Sequence, residues 1–199
     1  NTLGSYFITY DVIDNAGNSA AQMTRTINVI DTAPPVITLA GNSTINHEQG
    51  TTFNDPGASA LDTIDGNVAV STSGTVDTNT AGTYTLTYSA QDLSGNNANQ
   101  VTRDIVISDT IPPVITLIGA AVLDHASGNP FEDPGYTAND NINGNITSDV
   151  VVTYDTSSTT YVLSYNAADS AGNPAPTVTR TVNVVTPINI SIEAETATI

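Results

Sequence analysis

Residues 31–41 (DTAPPVITLAG) constrain the fold more than any other stretch, because they recur almost unchanged at residues 109–119 (DTIPPVITLIG). A near-copy at a fixed period of about 78 residues indicates a tandem array of domains. The paired prolines cannot donate ladder hydrogen bonds and keep the backbone extended, while Val-Ile-Thr-Leu has the apolar and β-branched character of a strand. This stretch therefore predicts the start of a β-domain at a domain junction, and no catalytic chemistry is visible in it.

The second half of the repeat occurs three times. Each copy has a strand in which tyrosine, leucine or isoleucine alternates mostly with threonine or serine, which predicts one buried face. A D-x-x-G-N loop suited to a hairpin turn follows, and then a return strand that begins with an arginine: Arg25, Arg103 and Arg180. Strand-like runs at spacings of roughly 8–12 residues, without helical periodicity, predict an all-β chain of tandem immunoglobulin-like β-sandwich domains in an elongated array.

These copies divide the chain into four segments. Residues 1–30 match the second half of a repeat, and 31–108 and 109–185 are complete immunoglobulin-like repeats. Residues 186–199 form an extra strand or the start of a different module, since Thr186 replaces the junction aspartate. The chain starts in mid-pattern, without an initiator methionine or a signal peptide, and is expected to be an internal or processed piece of a longer protein.

Charge and composition exclude several classes of function. Twenty acidic residues outnumber three arginines, there is no lysine, and the net charge is −17. Such a surface repels phosphate backbones, which excludes nucleic-acid binding, and it attracts divalent cations. The absence of cysteine excludes disulfides and thiolate metal sites, and no apolar run is long enough to predict a membrane span.

The combined pattern resembles the bacterial immunoglobulin-like surface repeats of the Cry22Aa-like, DUF5011 type. The elements that carry the resemblance span residues 1–185: D-x-x-P-P-V-I-T-L-x-G, D-P-G-x-x-A-x-D, G-T-Y-x-L-x-Y with D-x-x-G-N, and T-R-x-[IV]-x-[IV]. The second repeat departs from the pattern at Thr159, where glycine is expected. The resemblance implies a secreted or surface-anchored spacer or adhesive array, without catalytic residues.

Side chains with oxygen ligands concentrate in the turns, and calcium is the sharpest ligand hypothesis, because this hard cation binds about six to eight oxygens. One predicted group joins the hairpin loops to the domain junctions: Asp14, Asn18, Asp31, Asp92, Asn96 and Asp109. A second lies in the central turn of each repeat: Asp62, Asp65, Asn67, Asp140, Asn143 and Asn145. The expected site lies where a hairpin loop approaches the start of the next domain, with no equivalent at Thr186. The alternative is that these residues only form Asx-turns.

The remaining polar candidates favour structural roles. An arginine on the apolar side of a strand is expected at the rim of the sandwich, bonded to carbonyls or a carboxylate, because an unpaired buried charge is costly. His47 and His125 occupy equivalent positions without further ligands at metal spacing, which indicates a turn-stabilising role. The acids recur with the repeat instead of converging once, so the chain is predicted not to be an enzyme.

Three functions compete. The leading interpretation is a non-enzymatic extracellular structural or adhesive module, a rod of tandem domains in a surface or secreted protein, stiffened by calcium at its junctions. The first alternative is a filament subunit, in which the C-terminal strand of one chain completes the N-terminal half-repeat of another. The second is an accessory spacer of a secreted polysaccharide-degrading enzyme, suggested by residues 192–195. The expected partners are neighbouring immunoglobulin-like domains of the same or adjacent chains, and a carbohydrate or other cell-surface ligand.

Overall fold

The computed structural model describes residues 2–156 and 159–186. Within these ranges the protein is all-β, with sixteen strands, one 3₁₀ turn at Thr147–Asp149 and no α-helix. None of the described helical structure has the length and apolar character needed to cross a membrane. The strand predicted beyond Thr186 lies outside the described residues.

The N-terminal half-repeat is a two-stranded antiparallel sheet. Its strands are β1 (Gly4–Tyr10) and β2 (Met23–Val29). Ile8 lies opposite Arg25 in this register, and the D-x-x-G-N loop connects the two strands.

The first complete repeat is a sandwich of a three-stranded and a four-stranded sheet. Its strands are β3 (Val36–Leu39), β4 (Thr44–Glu48), β5 (Ala58–Asp62), β6 (Gly66–Val68), β7 (Val70–Ser73), β8 (Gly82–Ala90) and β9 (Val101–Ser108). One sheet has the order β3-β5-β6 and the other the order β4-β9-β8-β7.

The second complete repeat has the same topology. Its strands are β10 (Val114–Leu117), β11 (Val122–Ala126), β12 (Tyr136–Asp140), β13 (Gly144–Asn145), β14 (Val151–Thr156), β15 (Thr160–Asn166) and β16 (Val178–Val185). The sheets have the orders β10-β12-β13 and β11-β16-β15-β14. Strand β11 runs parallel to β16, whereas β15 pairs with β14 and β16 in antiparallel fashion. The predicted tandem immunoglobulin-like β-sandwich fold is confirmed.

The described residues form two compact units, each with its own hydrophobic core. The first unit holds the chain up to His47, Thr52–Thr78 and Gly82–Ile107, and the second holds Glu48–Thr51, Asn79–Ala81 and the chain from Ser108 onward. The alternation predicted for the long hairpin strands supplies much of each core. In the first repeat the buried residues include Ile37, Ala60, Leu86, Tyr88 and Ile105, and in the second they include Ile115, Ala138, Leu163, Tyr165 and Val182.

A fully buried arginine lies within each complete repeat. The Arg103 side chain has no exposed surface, pairs with Asp55 of the Asp-Pro-Gly turn, and donates to the backbone carbonyls of Ala40, Asn42 and Gly57. Arg180 pairs with Asp133 in the same way. The structure therefore differs from the predicted rim position: both guanidinium groups are fully buried, and the ion pair and carbonyl contacts offset the cost of burying the charge. They satisfy every donor atom of Arg103, whereas Nε of Arg180 has no hydrogen-bond partner.

Aromatic rings complete the surroundings of the buried ion pair. The Tyr88 hydroxyl donates to Oδ1 of Asp55 at 2.7 Å. Burial and this bond to Asp55 raise the pKa of Tyr88 to about 12, so the hydroxyl keeps its proton.

His47 and His125 pack edge-on against phenylalanine rings at 5.2 and 5.5 Å, which agrees with a structural role.

Candidate metal centres

Three aspartates from distant parts of the sequence meet in each complete repeat. In the first repeat Asp31 precedes β3, Asp62 ends β5 and Asp92 lies in the loop after β8. One carboxylate oxygen from each lies within 4.8 Å of those of the other two, and we call this group the first aspartate cluster. The second aspartate cluster has the same construction in the second repeat: Asp109, Asp140 and Asp169.

Both clusters are largely removed from solvent. Asp31 is half-buried, and the exposed fractions of the others are 4% for Asp62, 6% for Asp92, 8% for Asp109, 9% for Asp140 and 8% for Asp169. Carboxylates gathered at this distance repel one another, and burial weakens their solvation. The two buried arginines are paired elsewhere, with Asp55 and Asp133, so neither neutralises a cluster.

Asp62 divides its two oxygens between the local turn and the cluster. Oδ1 accepts hydrogen bonds from the backbone N–H groups of Ile64 and Asp65 at 2.7 and 2.9 Å, which fixes the turn between β5 and β6. Oδ2 is buried and has no hydrogen-bond partner. Asp140 repeats this arrangement, with Oδ1 bonded to the turn and Oδ2 without a partner. Buried polar atoms of this kind are rare unless a ligand satisfies them.

The aspartate at the start of each complete repeat also bonds the backbone through Oδ1 and leaves Oδ2 without a partner. Oδ1 of Asp31 accepts the Ala33 N–H at 3.0 Å, and Oδ1 of Asp109 accepts the Ile111 N–H at 3.2 Å. The Oδ2 atoms of both aspartates are buried and without partners. This hydrogen bond to the backbone two residues later fixes the orientation of each carboxylate, which precedes the proline pair in sequence.

The hairpin loop supplies the third carboxylate and ties itself to the start of the repeat. Asp92 accepts hydrogen bonds from the backbone and side-chain N–H groups of Asn96 at 2.7 and 2.8 Å. The Asn96 amide also donates to the Asp31 carbonyl at 3.3 Å. In the second repeat Asn173 does the same with Asp169 and with the Asp109 carbonyl. The loop is therefore held in place by asparagine, and the carboxylate stays beside the other two.

The pKa shifts of three cluster aspartates reflect these contacts. Backbone hydrogen bonds from Asp65 and Ile64 lower the pKa of Asp62. Burial acts to raise the pKa of Asp169, but the hydrogen bonds from Asn173 outweigh it and lower the value. Burial raises the pKa of Asp109, and the negative charges of its two cluster neighbours add to that effect. Without a cation, the negative charge of Asp109 is thus disfavoured.

The donor set suits a hard divalent cation. Every cluster atom is a carboxylate oxygen, without histidine or cysteine. Oxygen-only sites favour calcium or magnesium over zinc and copper. A cation would also satisfy the unpartnered Oδ2 atoms and neutralise their repulsion.

Replacing Asp109 with asparagine is expected to have opposite effects with and without the cation. Asparagine keeps Oδ1 for the Ile111 N–H and removes a charge that burial disfavours. In EDTA at neutral pH, the free energy of unfolding of the second repeat should therefore rise. In millimolar calcium, the variant should lose the stabilisation that the cation gives this repeat.

Thermal unfolding in EDTA and in calcium measures both effects, with Asp124→Asn as the control, because Asp124 is an exposed acid of the same repeat. Since the folded-state pKa of Asp109 is raised, its penalty is fully present above that pKa and disappears as the pH falls below the ordinary aspartate range. The stability that Asp109→Asn gains in EDTA should therefore become smaller at acid pH. A variant that is less stable in EDTA, or that keeps the full calcium response, would contradict this account.

The structure brings together five of the residues predicted to bind metal. Asp31, Asp62 and Asp92 form the first cluster, and Asp109 and Asp140 belong to the second. The two predicted groups, one at the junctions and one in the central turns, therefore contribute to a single cluster in each repeat. The structure also places Asp92 beside Asp31 of its own repeat, whereas the sequence suggested the start of the next one.

Other predicted ligands lie outside the clusters. Asp65 accepts the Leu93 N–H at 2.8 Å through Oδ2. Asn96 acts through its hydrogen bonds to the loop and the opening segment. Asp14 and Asn18 make the same loop contacts as their counterparts in the complete repeats, but Asp14 is exposed in the half-repeat.

Asp169 is the cluster residue that the metal-ligand prediction omitted. It opens the third D-x-x-G-N loop and aligns with Asp92, so the repeat itself contained the signal. Asn173 was likewise identifiable from Asn96.

Two segments of the chain match the model of one protein family, described as bacterial surface protein, Ig-like domain, over residues 37–107 and 115–184. The chain belongs to this family of bacterial surface immunoglobulin-like domains, which is typically non-catalytic. Each matched segment begins in the first strand and ends in the last strand of one complete repeat.

Similar curated proteins are longer than this chain. Hyalin from Lytechinus variegatus is 37% identical over 208 residues, covering 92% of this chain and 37% of that protein. An uncharacterized 81.3 kDa protein of Acholeplasma phage L2 is 30% identical over 190 residues, covering 87% of this chain and 25% of that protein. Among solved structures, a lipoprotein from Bacteroides thetaiotaomicron is similar at 17% identity and a TM-score of 0.35, covering 70% of this chain and 96% of that one.

Proposed function

We propose that the chain is a non-enzymatic structural or adhesive module of an extracellular surface protein, whose complete repeats each close around a calcium ion. The observation that carries the proposal is the duplicated aspartate cluster with its buried, unpartnered Oδ2 atoms. An active site converges once in a chain, whereas a stabilising ion is needed in every domain of an array. The same arrangement in both repeats favours the second role.

The proposed ion would cross-link three segments that are far apart in sequence. In the first repeat these are the opening segment with Asp31, the β5–β6 turn with Asp62 and the β8–β9 loop with Asp92. A ligand that binds only the folded state stabilises it by about 2.7 kcal/mol when present at a hundred times its Kd. Extracellular calcium modules have Kd values of about 0.1–1 mM. Calcium would therefore stabilise each domain and hold the start of each repeat against its own sandwich.

The proposal extends to the type of repeat, the location of the protein and its partners. The repeats fit the Cry22Aa-like, DUF5011 type through their D-x-x-P-P-V-I-T-L and D-P-G elements. The family description supports the proposed extracellular or surface location. Neighbouring immunoglobulin-like domains are the proposed partners, together with a carbohydrate or another cell-surface ligand.

A filament subunit is the second candidate function, and one observation favours it. The apolar side of the β1–β2 hairpin is exposed and could accept strands from another molecule. The donor strand of that hypothesis, and residues 192–195 of the polysaccharide-enzyme hypothesis, lie outside the described residues.

Limited proteolysis tests the proposed calcium-closed module. Digestion with proteinase K should be roughly a hundredfold slower in saturating calcium than in EDTA, because about 2.7 kcal/mol of added stability lowers the open population by that factor. The double variant Asp62→Asn/Asp140→Asn should be digested at the same rate in both conditions. Equal digestion of the unmodified chain in calcium and EDTA would contradict the proposal.

Negative-stain microscopy separates the two candidate functions. A structural module without strand exchange should appear as dispersed particles at every concentration. Filaments that grow with concentration would support the second candidate and overturn the first as the complete account.

A further inference from the structure

We propose that the β1–β2 hairpin is a docking surface for the first half of an immunoglobulin-like repeat, a segment built like residues 31–78 of this chain. The occupant is defined by the chemistry that the two complete repeats show. It carries apolar strands, two edge strands and an Asp-Pro-Gly turn whose carboxylate pairs with Arg25.

The hairpin has the same register as the corresponding hairpins of the complete repeats. Ile8 lies opposite Arg25 in β1–β2, as Leu86 lies opposite Arg103 in β8–β9. The β15–β16 hairpin repeats the pairing with Leu163 and Arg180. The three hairpins therefore present equivalent side chains on the same side.

The hairpins differ in whether other strands of the repeat pack over their apolar side. Leu86 is 6% exposed and Tyr88 is fully buried, because β3, β5 and their neighbours pack against them. In the half-repeat the equivalent Ile8 and Tyr10 are 41% and 48% exposed. Tyr6 and Ile27 of the same side are also exposed. A contiguous apolar face of this kind marks an interaction site.

Arg25 adds charge complementarity to this face. The equivalent Arg103 and Arg180 are fully buried and each pairs with the aspartate of an Asp-Pro-Gly turn. Arg25 is exposed, and its described contact is the Tyr10 ring at 5.8 Å. The face therefore offers a guanidinium at the point where the covering half of a complete repeat offers a carboxylate.

The edges of the hairpin indicate the same occupant. Within the described residues, β1 and β2 form a sheet of two strands, whereas β8 and β9 lie between β7 and β4. In the second repeat the corresponding outer strands are β14, antiparallel to β15, and β11, parallel to β16. A first half-repeat supplies both outer strands as well as the cover.

One consequence rests on the proposed calcium function. Asp14 is held by Asn18 with hydrogen bonds like those of Asp92 and Asn96. The occupant would bring the two aspartates equivalent to Asp31 and Asp62. Docking should therefore complete a third aspartate cluster.

Grafting a first half-repeat onto the chain tests the inference. A copy of residues 31–78 is placed directly before Asn1, since Asn79-Thr80 aligns with Asn1-Thr2. A second graft uses a copy of residues 109–155, which provides an independent donor. In both grafts the amides of β1 and β2 should exchange roughly a hundredfold more slowly than in the unmodified chain. Unchanged exchange in both grafts would overturn the proposal.

Charge-matched variants test the recognition by Arg25. Arg25→Met should leave the melting temperature of the unmodified chain unchanged, yet reduce the protection of β1 and β2 in the graft at least tenfold. Asp55→Ala within the copied segment should have the same effect as Arg25→Met. Full protection in either variant would overturn the role of the ion pair in docking.

Two further measurements separate the alternatives. The unmodified chain should sediment as a monomer, and a dimer with a protected hairpin would overturn the proposal by making a second copy the occupant. Calcium titration of the graft should give one ion more than the unmodified chain. Protection without an additional ion would overturn only the third cluster and leave the docking surface supported.

Discussion

Replacing Asp133 with alanine is expected to cost about 3–5 kcal/mol in the free energy of unfolding of the second repeat, because it leaves Arg180 buried without its ion-pair partner. The Tyr165 hydroxyl, which donates to Oδ2 of Asp133 at 2.8 Å, would lose its acceptor as well. A domain of this size is stabilised by only about 5–15 kcal/mol. The variant should therefore be partly unfolded under mild conditions.

Urea denaturation followed by hydrogen exchange measures and localises this loss. Glu132→Ala is the matched control, since Glu132 is an exposed acid that directly precedes Asp133. The control should change stability by no more than about 0.5 kcal/mol. Amides of β10–β16 should lose protection in the Asp133 variant. Equal effects of the two variants would show that the buried ion pair does not hold the repeat together.

The ion pair also explains why the Asp-Pro-Gly turn is a repeated part of the sequence. Asp55 and Asp133 both reach an arginine that lies more than forty residues later in the chain. Each pair connects the turn to the long hairpin of the opposite sheet. Loss of the arginine with retention of the aspartate should be tolerated better, because Asp133 is partly exposed and can be solvated.

The strand pattern was the most predictable part of the molecule. Leu86 and Tyr88 alternate with polar residues, and one buried face is the direct physical consequence of that period. The near-identity of the two proline-rich segments predicts two domains with equivalent folds, and the family match agrees. Local propensity and the repeat indicate the same fold, which is why it could be predicted.

The environment of the arginines was less predictable. Strand parity places Arg103 on the apolar side, but parity does not reveal the carbonyls of Ala40 and Gly57. Those acceptors lie more than forty residues away in sequence. Burial of the charge depends on them, so the sequence supported a rim position instead.

The aspartate clusters could be predicted only in part. Asp31, Asp62 and Asp92 are each recognisable as oxygen ligands in turns, but their spacing does not show which turns share one end of a sandwich. The structure answers that question by placing all three within one repeat. Asp169 could have been predicted as a ligand from its alignment with Asp92 in the repeat.

The second large expected effect is the loss of bound calcium when one cluster aspartate is replaced. Asp62→Asn and Asp140→Asn replace only the unpartnered Oδ2 of each carboxylate, since asparagine keeps Oδ1 for the turn N–H groups. Each variant should therefore fold normally and lose one ion. Asp65→Asn is the matched control, because Asp65 lies three residues after Asp62 and its carboxylate is bonded to the Leu93 N–H outside the cluster.

Isothermal titration of the metal-free protein with calcium is the most direct test of the aspartate clusters. We expect two ions for the unmodified chain, two for Asp65→Asn, one for each single cluster variant, and none for Asp62→Asn/Asp140→Asn. The melting temperature should rise with calcium in proportion to the sites that remain. No calcium binding by the unmodified chain, together with a melting temperature that EDTA leaves unchanged, would contradict the account.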